Sequence, residues 1–147
     1  MTRRYKITLA YDGTNYCGYQ RQGNGIAVQQ RVEEALARLT GERTTVTGAS
    51  RTDAGVHALG QCAHFDTSSR IPGEKFAFAL NTQLPPDIRV RRSEEADPGF
   101  HARFDACAKI YRYQIFEGAH HSALLRRTHA HSYYPLDAEL MDAEVQA

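Results

Sequence analysis

The sequence has no long apolar run, no paired cysteines and no excess of charge of either sign, and each lack excludes a class of protein. No stretch approaches the ~20 apolar residues that a membrane-spanning helix requires. The opening MTRRYKITLAYDG carries basic residues without the continuous apolar segment of a secretory leader behind them. Cys17, Cys62 and Cys107 are odd in number and isolated, never in a CxxC pair. That argues for reduced thiols in a cytosolic chain, and against a disulfide framework or a cysteine-based zinc site. A soluble, cytoplasmic protein is expected. Eighteen basic residues face seventeen acidic ones, a formal net charge of +1, so no whole-chain field advertises a nucleic-acid partner. Lysine is scarce as well: Lys6, Lys75 and Lys109 are the only three, and the other basic residues are arginines. The planar guanidinium suits phosphate recognition and base stacking, but a compositional bias explains that count equally well. Any role in RNA binding must rest on where particular arginines stand.

What is present is a readable series of elements. At 147 residues the chain can form one core-forming domain, or one domain plus part of another. Tyr5, Ile7, Leu9 and Tyr11 alternate as in a half-buried strand. The stretch DGTNYCGYQRQGNG reads as a long loop. Val28, Val32, Ala35, Leu36 and Leu39 fall at helical spacing, with Gly41 placed to end the helix. RTTVTGAS reads as a short strand, GQCAHFDT as its hairpin-like partner, PGEKFAFALNTQL as a second helix and LPPDIRVRRSEE as a turn and strand. The order β-α-β-β-α-β is the split βαβ pattern of ferredoxin-like α+β folds, an antiparallel sheet with helices on one face. Such a sheet can offer its open face to RNA. From Cys107 to Glu117 a further strand is expected, mixed in character on both faces. A polar loop with His120, His121, His129 and His131 follows. A last helix, capped by Asp137 and striped by Leu140, Met141 and Val145, has only begun when the sequence stops. The chain therefore reads as a fragment or truncated product, with one subdomain over residues 1–105 and the beginning of another over 106–147.

Three stretches invite chemistry. The four histidines between 120 and 131 match no zinc-ligand spacing and have no cysteine nearby, so no metal site is expected there. The glycine-rich loop lacks the Lys-Ser/Thr ending of a P-loop and the spacing of a dinucleotide fingerprint. It could present Tyr19, Gln20, Arg21 and Gln22 to an RNA, although a plain connecting loop explains it as well. SRTDAGVHA, residues 50–58, is the sharpest. Asp53 stands between two strand-like runs with Arg51 two residues before it, on the same side if strand geometry persists. A nearby guanidinium would favour and orient the carboxylate, as a nucleophile or base requires, and Gly55 allows a turn or the close approach of a substrate. Taken alone, the motif reads equally as an Asp-Gly turn with a surface ion pair.

The motif Arg51-Thr52-Asp53-Ala54-Gly55-Val56-His57-Ala58 resembles the catalytic signature of the tRNA pseudouridine synthase A family. YKITLAYDGTNYCGYQRQ, Ala27-Val28-Gln29, NTQLPPDIRV and FHARFDACAKIYRYQI resemble further blocks of that family, in order and over almost the whole chain. Two positions depart from its usual pattern, Tyr19 where tryptophan is common and Ser50 where glycine is. Members continue for roughly another hundred residues. The resemblance implies a βαββαβ half of a pseudouridine synthase catalytic domain that converts uridine to pseudouridine in the anticodon stem-loop of tRNA, without cofactor, as a homodimer. By resemblance Asp53 is the essential carboxylate, attacking the ribose at C1′ or deprotonating the sugar. Arg51 orients Asp53 or fills the stack left by the extruded nucleotide, and Tyr111 packs on the target base. Arg21, Arg103 and Arg112 are candidates for backbone contacts that offset the cost of nucleotide flipping, a few kcal/mol. Two other readings stay open: an RNA-binding fragment without catalysis, and a hydrolase of nucleosides or sugars using Asp53 with His57.

Overall fold

A computed structural model describes residues 1–146, in two compact units, Met1–Ala108 and Lys109–Ala147. In the first unit, β1 (Arg3–Tyr11) has the alternating burial its sequence promises, with Tyr5, Ile7, Leu9 and Tyr11 all buried. It is a central strand, antiparallel to β3 (Ala58–Thr67) on one side and to β4 (Ile88–Ala96) on the other. The short β2 (Thr47–Gly48) completes a four-stranded sheet in the order β2-β3-β1-β4. Tyr5 lies opposite Phe65 and Ile7 opposite Ala63, so the pleat gathers the apolar side chains of β1 and β3 on one face.

Two helices cover that face. Helix α1 (Val28–Thr40) buries Val28, Val32, Ala35 and Leu36, the stripe expected from a 3.6-residue period. It has no side-chain N-cap. Its first donors are met by the preceding loop instead, Val28 N–H bonding Gly18 O at 3.1 Å and Gln29 N–H bonding Tyr19 O at 2.8 Å. It stops at Gly41, whose N–H bonds Ala37 O. Helix α2 (Phe76–Asn81) follows a single 3₁₀ turn and buries Phe76, Ala77 and Leu80. Tyr5, Phe65 and Phe76 form an aromatic cluster, with the Tyr5 and Phe76 ring centres 4.7 Å apart. Asn81 exchanges two hydrogen bonds with the backbone of Val90, at 2.9 and 2.8 Å. This occupies part of the outer edge of β4 with a side chain.

The strand expected over 43–50 is shorter than its β-branched composition suggests: side chains claim both backbone groups of Val46, and Thr44 reaches β3 through its side chain. Thr44 Oγ1 donates to Asp66 O, Glu33 Oε1 accepts from Val46 N–H, and the Val46 carbonyl accepts from both Tyr19 Oη and Gln29 Nε2. Thr47 and Gly48 pair with β3, and Ala49 N–H adds a bond to Cys62 O at 2.8 Å.

The second unit holds β5 (Ile115–Glu117) and β6 (Ala130–Ser132), paired in parallel, and helix α3 (Ala138–Gln146). The strand expected from Cys107 to Glu117 is a correction: only its last three residues are extended in a ladder. Alternation is a pattern a strand can use, but a strand exists only where a neighbour takes its hydrogen bonds. The Gln114 carbonyl still accepts from Ala130 N–H at 2.8 Å, but residues 107–113 have no ladder partner among the described residues. Phe116, His121, His131 and Tyr133 stack their rings, His121 and His131 nearly parallel at 4.8 Å. Leu140, Met141 and Val145 of α3 are exposed. Among the described residues no helix is long and apolar enough to cross a membrane.

The contrast in burial sets the expected energetics. Leu36→Ala should lower unfolding free energy by about 3 kcal/mol, the transfer and cavity cost of a core leucine, whereas Leu140→Ala should change it by less than ~0.5 kcal/mol. Urea denaturation of the two variants checks this.

Candidate active site

Asp53 lies on the loop between β2 and β3, and its residue is exposed. The backbone on both sides of it is tied down. Before it, Gln61 grips Ser50 in both directions, accepting from Ser50 N–H at 3.1 Å and donating to Ser50 O at 2.6 Å. Gln61 takes an inward position of β3, so its buried amide extends the β2–β3 ladder by one side-chain rung. Thr52 O accepts from Tyr19 N–H at 3.1 Å, and Thr52 Oγ1 lies 2.8 Å from the Tyr11 hydroxyl. Burial pushes the Tyr11 hydroxyl up from its ordinary pKa, which keeps it protonated for that bond. After Asp53, its own carbonyl accepts from Val56 N–H at 3.1 Å, closing a turn, and Gly55 N–H bonds Tyr16 O at 3.2 Å.

The loop after β1 supplies the other half of this clamp. Gly18 has φ +81°, and a Cβ there would overlap the Thr52 carbonyl oxygen. Gly13 allows an equally close approach: a Cβ on it would overlap the Val56 carbonyl oxygen. Tyr16 donates to Asp87 at 2.5 Å, tying the same loop to the start of β4. Burial and the Asp87 carboxylate both push the Tyr16 hydroxyl well above its usual value.

The sequence-derived site residues divide as follows. Arg51 is exposed, and among the described residues no ion pair joins it to Asp53. Same-side placement required extended strand geometry, and residues 49–53 lie outside any strand. Tyr19, expected among exposed groups, is 2% exposed. It donates to Val46 O at 3.0 Å and packs its ring on Gly48, so it belongs to the core. Gln20, Arg21 and Gln22 are exposed as expected. Arg21 is ion-paired to Glu33 at 2.8 Å, and Gln22 donates to Cys17 O. Tyr111 and Arg112 are exposed in the second unit.

Arg103 is placed by the segment after β4, which crosses the face of the sheet opposite the helices. Arg4 pairs in two-pronged fashion with Asp66, both contacts at 2.8 Å, and donates a third bond to Phe100 O. His64 Nδ1 accepts from Ala102 N–H at 3.0 Å. His101, its ring 4.7 Å from that of His64, accepts from the N–H groups of Arg103 and Phe104. Burial raises the Tyr19 hydroxyl, and the positive charge of Arg103 partly opposes that.

Tyr11, Tyr16, His57 and Gln61 hold the loop; of these only His57 was a candidate for chemistry from the sequence, as an acid–base partner of Asp53 in a hydrolase. A signal for the holding role existed for Gln61 alone, an amide in register with apolar positions of β3. Among the described residues no group of three His, Cys, Asp or Glu is arranged to hold a metal ion.

A family model described as tRNA pseudouridine synthase matches residues 7–105, which contain the whole clamp. A tRNA pseudouridine synthase A of Acetivibrio thermocellus is 51% identical over 139 residues, 95% of this chain and 57% of that protein. One of Ruminiclostridium cellulolyticum is 49% identical over 144 residues, covering 98% and 57%. One of Geobacter sulfurreducens is 52% identical over 124 residues, covering 84% and 51%. The chain belongs to the tRNA pseudouridine synthase family, and it spans a little over half the length of these curated relatives.

Two outcomes follow from the geometry. Gly18→Ala should destabilise the first unit by on the order of 1–3 kcal/mol, because a left-handed backbone and an occupied contact are both disturbed; a urea titration measures it. His64 gives a pH dependence. Burial, then the charge of Arg4, then His101, lower its pKa against the weaker opposing pull of Asp66. The folded state thus holds a proton on His64 less well than the unfolded chain, whose value is about 6.5. Stability should be fully present above that value and fall as pH drops through it. His64→Asn keeps an acceptor for Ala102 N–H and should flatten the slope of urea midpoint against pH between about pH 7.5 and 5.5.

Proposed function

We propose that this chain carries the catalytic aspartate of a tRNA pseudouridine synthase, with Asp53 as the essential carboxylate. The observation that carries the reading is the placement of Asp53, exposed on a loop whose backbone is fixed before and after it, within the region matched by the family model. A carboxylate that must meet one atom of a flipped nucleotide gains from a fixed frame and an open side. Strand order β2-β3-β1-β4 with both helices on one face supports the ferredoxin-like reading of the fold.

The reaction breaks the uridine N1–C1′ bond, turns the base and joins C5 to C1′. The C5 proton leaves to solvent and N1 takes one up, so the change is an isomerisation that needs no cofactor. Asp53 acts at the ribose, by attack on C1′ or by removing a sugar proton. Arg51, exposed and without an ion pair to Asp53, is available to enter the stack vacated by the target nucleotide. Tyr111 is assigned to pack on the base. Gln20, Arg21, Gln22, Arg103 and Arg112 are assigned to tRNA contacts, and the anticodon stem-loop is the proposed target. We read residues 1–105 as the subdomain that carries Asp53 and 106–147 as the start of the next. Activity is proposed in a homodimer, and the isolated cysteines fit work in the cytoplasm.

The test is tritium release from tRNA labelled at uridine C5, by the chain alone and joined to the C-terminal remainder of the Acetivibrio thermocellus relative. Asp53→Asn should reduce turnover roughly 10³-fold or more while leaving tRNA affinity within about threefold. Near-normal turnover by the Asn variant overturns the role of Asp53. Salt-sensitive tRNA binding with no release by either form favours a binding fragment instead.

A further inference from the structure

His57 is the residue of the 50–58 motif that the reading above leaves without work. Its side chain is 30% exposed, and its Nδ1 accepts the Gly13 N–H at 3.0 Å. Asp12 Oδ1 stands 3.2 Å from the same nitrogen. These neighbours make opposite demands, since a donor requires a lone pair on Nδ1 and a carboxylate requires a proton there. Asp12 Oδ1 already accepts from Thr14 N–H at 3.0 Å and Thr14 Oγ1 at 2.5 Å. The backbone N–H of buried Gly13 uses the imidazole, and leaving such a donor unmet would cost the full desolvation of the group. A neutral ring with its proton on Nε2 satisfies it.

The contact is more than a local cap because of what Gly13 touches. Its Cα lies against the Val56 carbonyl, with no room for a Cβ. Val56 N–H in turn closes the turn on the Asp53 carbonyl. A short line therefore runs from Gly13 through the His57 ring and the Val56 peptide to Asp53. Tyr19 N–H on Thr52 O secures the near side of the loop, and His57 secures the far side.

We propose that His57 is a positioning residue: its neutral, Nε2-protonated ring latches the 53–57 turn to Gly13 and so sets where Asp53 meets the ribose. The catalytic half of this inference rests on the function proposed above; the latch itself does not. The discriminating variants are His57→Asn, whose amide oxygen can stand where Nδ1 stands, and His57→Gln, whose amide reaches the Nε2 position instead.

Two measurements separate the halves. Hydrogen exchange at the Gly13 amide, in the chain as it is, should be slow in the wild type and the Asn variant, and at least about tenfold faster in Gln and Ala. Turnover on tRNA, in the form joined to the relative's C-terminal remainder, should fall roughly 10- to 100-fold in kcat for Gln and Ala with KM nearly unchanged, and return for Asn. Nitrogen-15 spectra of the wild type should show the neutral ring protonated on Nε2, a reading that needs no variant. A proton on Nδ1, equal Gly13 exchange in every variant, or an Asn variant no better than Ala overturns the inference. A wild-type form that exchanges as expected but never turns over tRNA overturns the functional reading and leaves the latch standing.

Discussion

Two stretches of backbone, 13–19 and 50–57, approach so closely that a methyl group at Gly13 or Gly18 would strike a carbonyl oxygen of the opposite stretch. The rest of the site depends on that contact. It lets Tyr19 N–H and Gly55 N–H bond across the gap, and it puts the Tyr11 hydroxyl on Thr52. The same loop then hands Gly18 O and Tyr19 O to the first donors of α1. One close approach thus fixes the start of a helix and the frame of an aspartate. Neither could be moved by a few tenths of an ångström without disturbing the other.

The two faces of the sheet divide the labour. The helical face carries nearly all the buried apolar surface, an aromatic cluster and two helices. The opposite face is bound by directional polar contacts, namely Arg4 to Asp66 and Phe100, and His64 to Ala102. Burial supplies the larger share of stability, whereas the directional bonds determine where the 97–105 segment, and with it Arg103, comes to lie. In the second unit, the short ladder and ring stack leave the apolar residues of α3 exposed.

Much of the first unit was legible in the sequence because its elements follow their periods. Alternation in β1, the helical stripe of α1 ending at Gly41, and the later helix and strand were all readable from spacing. What was not legible depends on distant partners. Residues 43–46 look like a strand, yet Glu33, Gln29 and Tyr19 compete successfully for the backbone groups of Val46. Among the described residues, 107–113 alternate without a neighbour to pair with. Tyr19 stands among polar loop residues and reads as exposed, but its ring finds the gap over Gly48. Asp53 stands out as a candidate by type, context and resemblance. Its supports Tyr16 and His57 do not stand out as such, since each acts through a backbone group about forty positions away in sequence, and Gln61 shows only as an amide among apolar strand positions.

The interlock also bears on how such a chain can vary in length. The two loops touch at several rungs in a fixed order: Gly13 against Val56 and His57, Tyr16 against Gly55, and Gly18 and Tyr19 against Thr52. An inserted or deleted residue in either loop would shift every rung beyond it, as a missing tooth jams a zip. Residue identity on the outward side can change freely, but the number of residues cannot unless both sides change together. The lengths of these two segments are therefore physically coupled, while a connection outside the interlock, such as 118–129, is under no such constraint.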